Sequence, residues 1–527
     1  MGYAQQYAPA IMRRGRIAME PVDFTPDWGD APRKGKFYPG VDSLPLPVDA
    51  APSGTADAGL SAGAEPGETG FTLSTLAGML HDSYALLGRR LGVQANTDLP
   101  ALPSYAHANW FRGTASGGGL YPCSIYWICG PNGPVTPGIY YYSTQRHAMQ
   151  PLALGDASGE VRAALGALPE AARTDQFLVV GIKYWQNAFK YNSFAYHAVT
   201  MDVGTTLQTW TMWARAEGLR IEPALWFDEQ RLARLLALPD GEESVFAVVP
   251  LAWQGARGGA GPAPSHPPVV THADRERSHR VFTFDSVERM HTAASGATVR
   301  PDPGALRTAA AAPRVPAAPD LPLPAPALMP MSMRAALRRR RSSFGRFEAA
   351  RPISSAELAA LLATSAGTRI DCDVNRPDTP SLSKLYAFVN HVDGVPPGAY
   401  EYEAAENTLR LVKAGPPGEF VERNYFLANY NLEQAAAVLV PTVRTAAVLA
   451  ALGDRGYHLV NATIGAIAQA CYTASAALDI GCGVALGFDN ISYIEELDLA
   501  DSGEQPLLIM LVGHERSHPA DFRYELV

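Results

Sequence analysis

Apolar and polar positions along this chain follow one pattern twice. Short, largely apolar runs at Cys123–Cys129 and Leu385–His391, and again at Val245–Leu251 and Leu507–Val512, have the length of buried strands. Paired tyrosines two residues apart follow a Pro-Gly step in TPGIYYY (136–142) and in PPGAYEY (396–402), and period two after a turn dipeptide predicts a hairpin in each place. Periodicity predicts helices over Leu73–Leu87 and Ala356–Ala366, and long apolar ones over His197–Glu217 and His458–Ala477. Helices set beside a sheet in this order predict an α+β fold.

Residue matches turn the shared pattern into a duplication. LPLP recurs at 44–47 and 321–324, and ASGGGLY (115–121) is matched to PSLSKLY (380–386). Tyr196, Gly204 and Gln208 each find an identical residue 261 positions later, at Tyr457, Gly465 and Gln469. The expected organisation is an N-terminal extension over 1–35, a first repeat over 36–254, a Pro/Ala/Gly-rich linker over 255–320 and a second repeat over 321–527. Small residues and Gln at the repeated positions of the long helices suit burial against a symmetry mate, so the repeats are expected to form an intramolecular pseudo-dimer, with any higher oligomer left open.

Composition narrows the function classes. A net charge of -9 argues against a general nucleic-acid binder. Five cysteines without a CxxC pair indicate neither a disulfide scaffold nor a zinc ribbon, and twelve histidines without HExxH give no metal site. The run Ala435–Leu452 is broken by Pro441 and Arg444, so no membrane span is expected, and the opening residues have no secretion-signal pattern. A cytoplasmic location is expected.

Candidate chemistry begins with four arginines, Arg338 to Arg341, followed by Ser342, Ser343, Phe344, Gly345, Arg346 and Phe347. Such a run reads either as a solvated basic face or as a phosphate site in which forked guanidiniums and a hydroxyl converge on one dianion. The glycines of Gly481-Cys482-Gly483 would let backbone approach a flat ring, whereas the first half has Arg220-Ile221-Glu222 in register. GCGVALG has GxGxxxG spacing and follows a helix, which does not fit a dinucleotide fingerprint.

ASGGGLYP, the PG-x-Y-x-Y hairpins, the RRSSFGRF box and the repeated long helix together resemble the SagB-type branch of the FMN-dependent nitroreductase superfamily, in a tandem form similar to thiopeptide-pathway dehydrogenases. The resemblance implies an α+β sandwich that dimerises through its long helices and holds FMN at the interface. It also implies an active Lys-Tyr pair in a KYxxRxYR segment. Lys190-Tyr191 fits that spacing, with Phe194 in place of Arg, while the second half keeps Arg455 and lacks the pair; Lys183-Tyr184 fits less well. The segment SGTADAGLSAGAEPG, where the first half should carry the arginine-serine box, has no basic residue.

These complementary losses predict one complete site per chain. Arg340, Arg341, Ser342 and Arg346 would hold the FMN phosphate and Gly481 and Gly483 would lie near the ring. Ser116, Gly117, Gly118 and Gly119 would come across the interface with Lys190 and Tyr191. The plainer readings are an ordinary glycine loop and a core tyrosine. The implied reaction is oxidation of thiazoline or oxazoline rings in a ribosomally made peptide: proton removal from the former α-carbon, hydride to flavin N5, and reoxidation by oxygen. Tyr191 would need a nearby cation such as Lys190 to act as a base, or Lys190 would balance the charge of reduced flavin. The implied partners are the azoline-containing precursor peptide and cyclodehydratase proteins. Alternatives are an NAD(P)H-dependent nitroreductase or other flavin oxidoreductase, and a non-catalytic scaffold in a peptide-modifying complex.

Overall fold

The computed structural model describes residues 2–48, 54–61, 70–91, 108–255, 268–302, 304–311, 320–517 and 522–526. Part of the expected linker (256–267, 303 and 312–319) and residues 53 and 62–67 of the first half's arginine-box counterpart lie outside the described residues.

Each half builds one antiparallel sheet with the same strand order. In the first, Leu44–Pro45, Ala148–Leu154, Gly138–Ser143, Cys123–Cys129, Gln176–Lys183 and Glu243–Pro250 lie side by side. In the second, the order is Leu321–Pro322, Thr408–Ala414, Gly398–Glu403, Ser383–Val389, Ala437–Val443, Ile509–Gly513, with Gly481–Ala485 added at the edge. Both hairpins carry a register shift at the same place, between Ile139 and Tyr140 and between Ala399 and Tyr400. The fold is therefore α+β and duplicated, as the sequence pattern predicts.

Strand register corrects one sequence match. Cys129 pairs with Gly138 as Val389 pairs with Gly398, and Tyr126 faces Val179 as Tyr386 faces Val440. Tyr386 thus corresponds to Tyr126 rather than to Tyr121. Most of PSLSKLY is the start of a strand, and the counterpart of Ser116–Gly119 is Arg376–Thr379. The shared Leu-Tyr ending of the two segments is displaced by five residues from the structural register.

The long helices Ala195–Ala216 and Gly456–Ala477 form the seam. Their contacts are reciprocal, as a two-fold relation requires. A Cβ on Gly204 would fall 2.1 Å from the Ala462 carbonyl oxygen, and one on Gly465 would fall 2.1 Å from that of Met201. Tyr196 and His458 meet at 2.5 Å, and His197 and Tyr457 at 2.8 Å. Burial keeps both imidazoles well below their usual pKa, so each is a neutral partner to its phenol. One core runs continuously through both halves.

Two outlying segments also cross the seam. The C-terminal strand Arg523–Glu525 pairs with Gly88–Leu91 of the first half, which in turn pairs with Ala108–Phe111. Within the linker, the helix Asp285–Ser295 buries Val287, Met290 and Ala294. This apolar face makes it a packed element.

Candidate active site

The first half contributes a bare loop. Gly118 and Gly119 take φ of 62° and 66°, conformations that disfavour side chains with a Cβ. Asp202 on the long helix fastens the loop, accepting from Ser116 Oγ at 2.6 Å and from the Gly117 N–H at 2.9 Å. The second half holds the loop from across the seam, where Gln469 Oε1 accepts the Ala115 N–H at 2.8 Å.

Lys190 and Tyr191 end the helix Trp185–Tyr191, which stops because Asn192 turns to φ 41°. Neighbouring residues on a regular helix point well apart, yet here both reach one spot. A Cβ on Gly118 would meet the Tyr191 hydroxyl at 2.5 Å and Lys190 Nζ at 2.9 Å. Burial lowers the pKa of Lys190; burial and then the Asp202 charge raise that of Tyr191. Burial also pushes the Asp202 carboxyl up to about 7 against its two hydrogen bonds. At neutral pH these shifts favour a phenol over a phenolate and make the lysine the more accessible base.

The rival pair is engaged elsewhere. Lys183 is ion-paired to Asp274 and Glu276 at 2.6 Å each, and the Tyr184 hydroxyl meets His291 at 3.2 Å. A cavity of about 60 Å³ lies beside them under Phe282 and Phe284, away from the seam loop.

The second half brings the arginine turn, which follows a helix over Met333–Arg339 capped by Ser332. Arg340 is buried and reaches into the first half, donating Nε to the Gly113 carbonyl at 2.8 Å and Nη2 to that of Arg112 at 3.1 Å. It is a strut that carries the loop before Ser116. Arg341 is ion-paired to Glu515, Ser342 Oγ meets the Tyr472 hydroxyl at 2.7 Å, and the Arg346 carbonyl accepts the Arg516 N–H at 2.8 Å.

The glycine strand is shaped first by protein packing. A Cβ on Gly483 would strike the Tyr430 ring at 2.4 Å, and one on Gly481 would meet Ser343 Oγ at 2.8 Å. The close approach expected for a flat ring is taken at Gly483 by Tyr430, which stacks on Phe344 with centroids 4.8 Å apart.

Three contributors had no sequence signal. Arg90, from the first half, donates Nη1 to the Arg340 carbonyl at 2.7 Å. Its own pKa falls to about 9 through burial and then the charges of Arg340 and Arg341, so three guanidiniums crowd one place. Tyr425 belongs to the second half, yet Tyr191 and Tyr472 both help raise its pKa, which brings its phenol within electrostatic reach of both sides. Asp202, on the long helix, becomes the loop's anchor only through the fold.

Residues 337–514 match the family model described as Nitroreductase family. The whole chain is similar in structure to a putative nitroreductase from Anabaena variabilis ATCC 29413, with a TM-score of 0.72 and 20% identity over 98% of this chain and 100% of that one. A putative nitroreductase from Ralstonia eutropha JMP134 matches 42% of this chain and 95% of its own at 19% identity and a TM-score of 0.29. An E. coli structure, the microcin synthetase McbBCD complex with truncated pro-MccB17 bound, matches 47% of this chain and 95% of its own at 16% identity and a TM-score of 0.26. No curated protein matches the chain. The full-length superposition establishes a nitroreductase-like architecture. Among the described residues, no helix is long and apolar enough to cross a membrane, and no group of three or more His, Cys, Asp or Glu could hold a metal ion.

Proposed function

We propose that the chain binds one FMN in the seam and oxidises thiazoline or oxazoline rings of a ribosomally made peptide to thiazoles or oxazoles. The observation that carries this reading is the meeting of Lys190 and Tyr191 at Gly118, on a loop that Arg340 and Gln469 clamp from the other repeat. The residues fit the cofactor. Arg341, Ser342 and Arg346 of the turn, with Arg90 of the strand Gly88–Leu91 beside it, would hold a phosphate dianion, Arg341 exchanging Glu515 for the phosphate, and Arg340 holds the loop in place. Among the described residues no atom beyond the neighbouring residues lies within 4 Å of the place a Cβ on Gly119 would take, which leaves the backbone there room for a flat ring. Gly481 and Gly483 shape the adjoining wall through Ser343 and Tyr430.

Bound FMN supplies the acceptor for the hydride that leaves the ring carbon. Lys190 takes the proton from the former α-carbon, since burial favours its neutral amine. Tyr191 stays protonated and donates a hydrogen bond that orients the ring nitrogen or the flavin edge. Ser116 and Asp202 keep the loop closed over both. Dioxygen is the terminal two-electron acceptor. The peptide reaches the site with its azolines already formed, which makes cyclodehydratase proteins the natural partners.

The test is a flavin titration followed by turnover. The purified chain should bind one equivalent of FMN and convert an azoline peptide to the azole with oxygen uptake. Tyr191→Phe should keep the cofactor and lose most of the rate. A chain that takes up no FMN overturns the site. One that binds FMN but reduces nitroaromatics with NAD(P)H and leaves azolines untouched overturns the substrate assignment.

A further inference from the structure

Phe194 and Arg455 occupy the same place in the two repeats, 261 residues apart, each just before a long helix. Arg455 is 1% exposed and donates Nε to the Leu225 carbonyl at 2.7 Å, so it ties the helix start of one repeat to a loop of the other. Its charge also reaches Glu229. The counterparts of Leu225 and Glu229 at the same spacing are Leu486 and Asn490. Phe194 has no guanidinium to send there.

A guanidinium is there nonetheless. Arg14, directly after the N-terminal helix Ala4–Arg13, lies over the Phe194 ring with its carbon 4.7 Å from the centroid. Its Nη2 donates to the Leu486 carbonyl and its Nη1 donates to Asn490 Oδ1 at 2.8 Å. The helix that carries it is fastened at both ends of its path. The Ala4 N–H donates to Asp454 Oδ1 at 2.8 Å, and the Tyr7 hydroxyl donates to the Ser193 carbonyl at 2.7 Å. Tyr7 also meets Tyr196 and Tyr457 edge-on, one ring from each repeat.

We infer that the N-terminal segment supplies, through Arg14, the arginine that the first repeat lacks at position 194. Arg14 is a positioning residue of the seam site. On one side it rests on the turn Asn192–Phe194, directly after the helix that ends in Lys190 and Tyr191. On the other it holds the residue following the strand Gly481–Ala485. One planar fork therefore sets the spacing between the acid-base pair and the wall of the second repeat, which a single ammonium could not do. The replacement stands on the repeat geometry; its effect on turnover rests on the flavin reading above.

Rescue from within the fold tests it. Arg14→Ala should lower the melting temperature of the cofactor-free chain and weaken FMN binding about tenfold, the size expected for charged hydrogen bonds lost from a partly buried site. The turnover number should fall while KM for the peptide stays near its original value. Phe194→Arg alone should also destabilise, because two guanidiniums then compete for one carbonyl. Arg14→Ala combined with Phe194→Arg should recover melting temperature and FMN affinity to within about threefold. Arg14→Lys should recover neither. A double variant no better than Arg14→Ala, or an Arg14→Ala chain indistinguishable from the original, overturns the inference. If the original chain binds no FMN, the flavin reading fails, while the melting temperatures of the four variants still decide the arginine replacement.

Discussion

In one place along the seam, Lys190 and Tyr191 meet at Gly118, and Arg90 donates to the carbonyl of Arg340, which precedes Arg341 and Ser342; at the pseudo-symmetric positions the sequence has Ala451, Leu452 and Asp378 instead. The second location is filled with paired charges. Asp373 accepts from Arg300 Nε at 2.9 Å and from the N–H groups of Leu225 and Trp226 at 2.8 and 3.1 Å. Arg376 pairs with Glu170, Arg220 with Glu222, and Arg215 with Asp371. A shallow cavity of about 10 Å³ remains there, lined by Glu170, Glu222, Asp371, Asp373 and Arg376. A fold that needs both halves to pack can thus give up one site, provided that the vacated groups neutralise each other. In the first location Arg341 also has an ion-pair partner, Glu515, but Arg90 and Arg340 donate to backbone carbonyls instead; in the second, Arg300 and Arg376 are both paired to carboxylates, and that location forms a structural plug.

The sharpest attempt to break this contrast removes the base. Lys190→Ala should lower the turnover number by about 10²–10⁴, the range for a general base, with FMN still bound. Because burial lowers the Lys190 pKa, turnover in the original chain should rise with pH on a limb below the ordinary lysine range, and the variant should lack that limb. Stopped-flow azoline oxidation across pH measures both. A variant with the original rate and pH limb would leave the furnished site without its distinction.

Next in size is the plug. Asp373→Ala strands two N–H groups and Arg300, and should cost about 3 kcal/mol of stability while leaving one FMN per chain. Denaturant melts with flavin titration report both quantities. Uptake of a second FMN would show that the plug, rather than the lost machinery, is what keeps that site empty.

Burial raises the pKa of a carboxyl in both locations, Asp202 in one and Asp373 in the other, but Asp373 has Arg300 beside it and Asp202 has only its hydrogen bonds from Ser116 and Gly117 to oppose the shift. The folded pKa of Asp202, raised to about 7, stands above the unfolded value of about 4, so the folded chain holds the proton more tightly. Its contribution to stability is complete below about pH 4 and is lost as pH rises through 7, at up to about 1.4 kcal/mol per pH unit. In Asp202→Asn that part of the slope should vanish from melts taken between pH 4 and 8. An unchanged slope would mean that the carboxyl titrates as it does in the unfolded chain.

Much of this contrast is legible in the amino-acid order, because its causes are local or repeated. The strand Cys123–Cys129 and both long helices announce themselves by apolar runs and a constant spacing. The loss of Lys-Tyr from one half and of the glycine strand from the other needs no coordinates. What escapes is whatever distant segments contribute. Arg90 sits in an unremarked GRRL, Arg14 in a leading extension, and both become visible only when the seam closes. Gly483 invites a reading as open space until Tyr430 is found against it. Arg340 looks like a phosphate ligand until two carbonyls of the other repeat claim its fork. The leading segment also shows how an insertion can repair a repeat without restoring its sequence.

Arginines in the two locations should therefore respond differently to the same truncation. Arg341→Ala in the furnished site should weaken FMN by about 10–100-fold, as a charged hydrogen bond worth about 1.5–3 kcal/mol implies, and the loss should shrink as phosphate is added to compete. Arg376→Ala in the plug removes a partly exposed ion pair with Glu170 at 3.3 Å, worth at most about 1 kcal/mol. FMN affinity there should stay unchanged, because Arg376 stands at the counterpart of Ser116 in a location whose remaining charges still cancel. Isothermal titration of the two variants side by side gives the ratio directly. Equal losses from both would mean that the two locations share the cofactor's charge, and the division of labour between the repeats would have to be redrawn with Arg376 inside the binding surface.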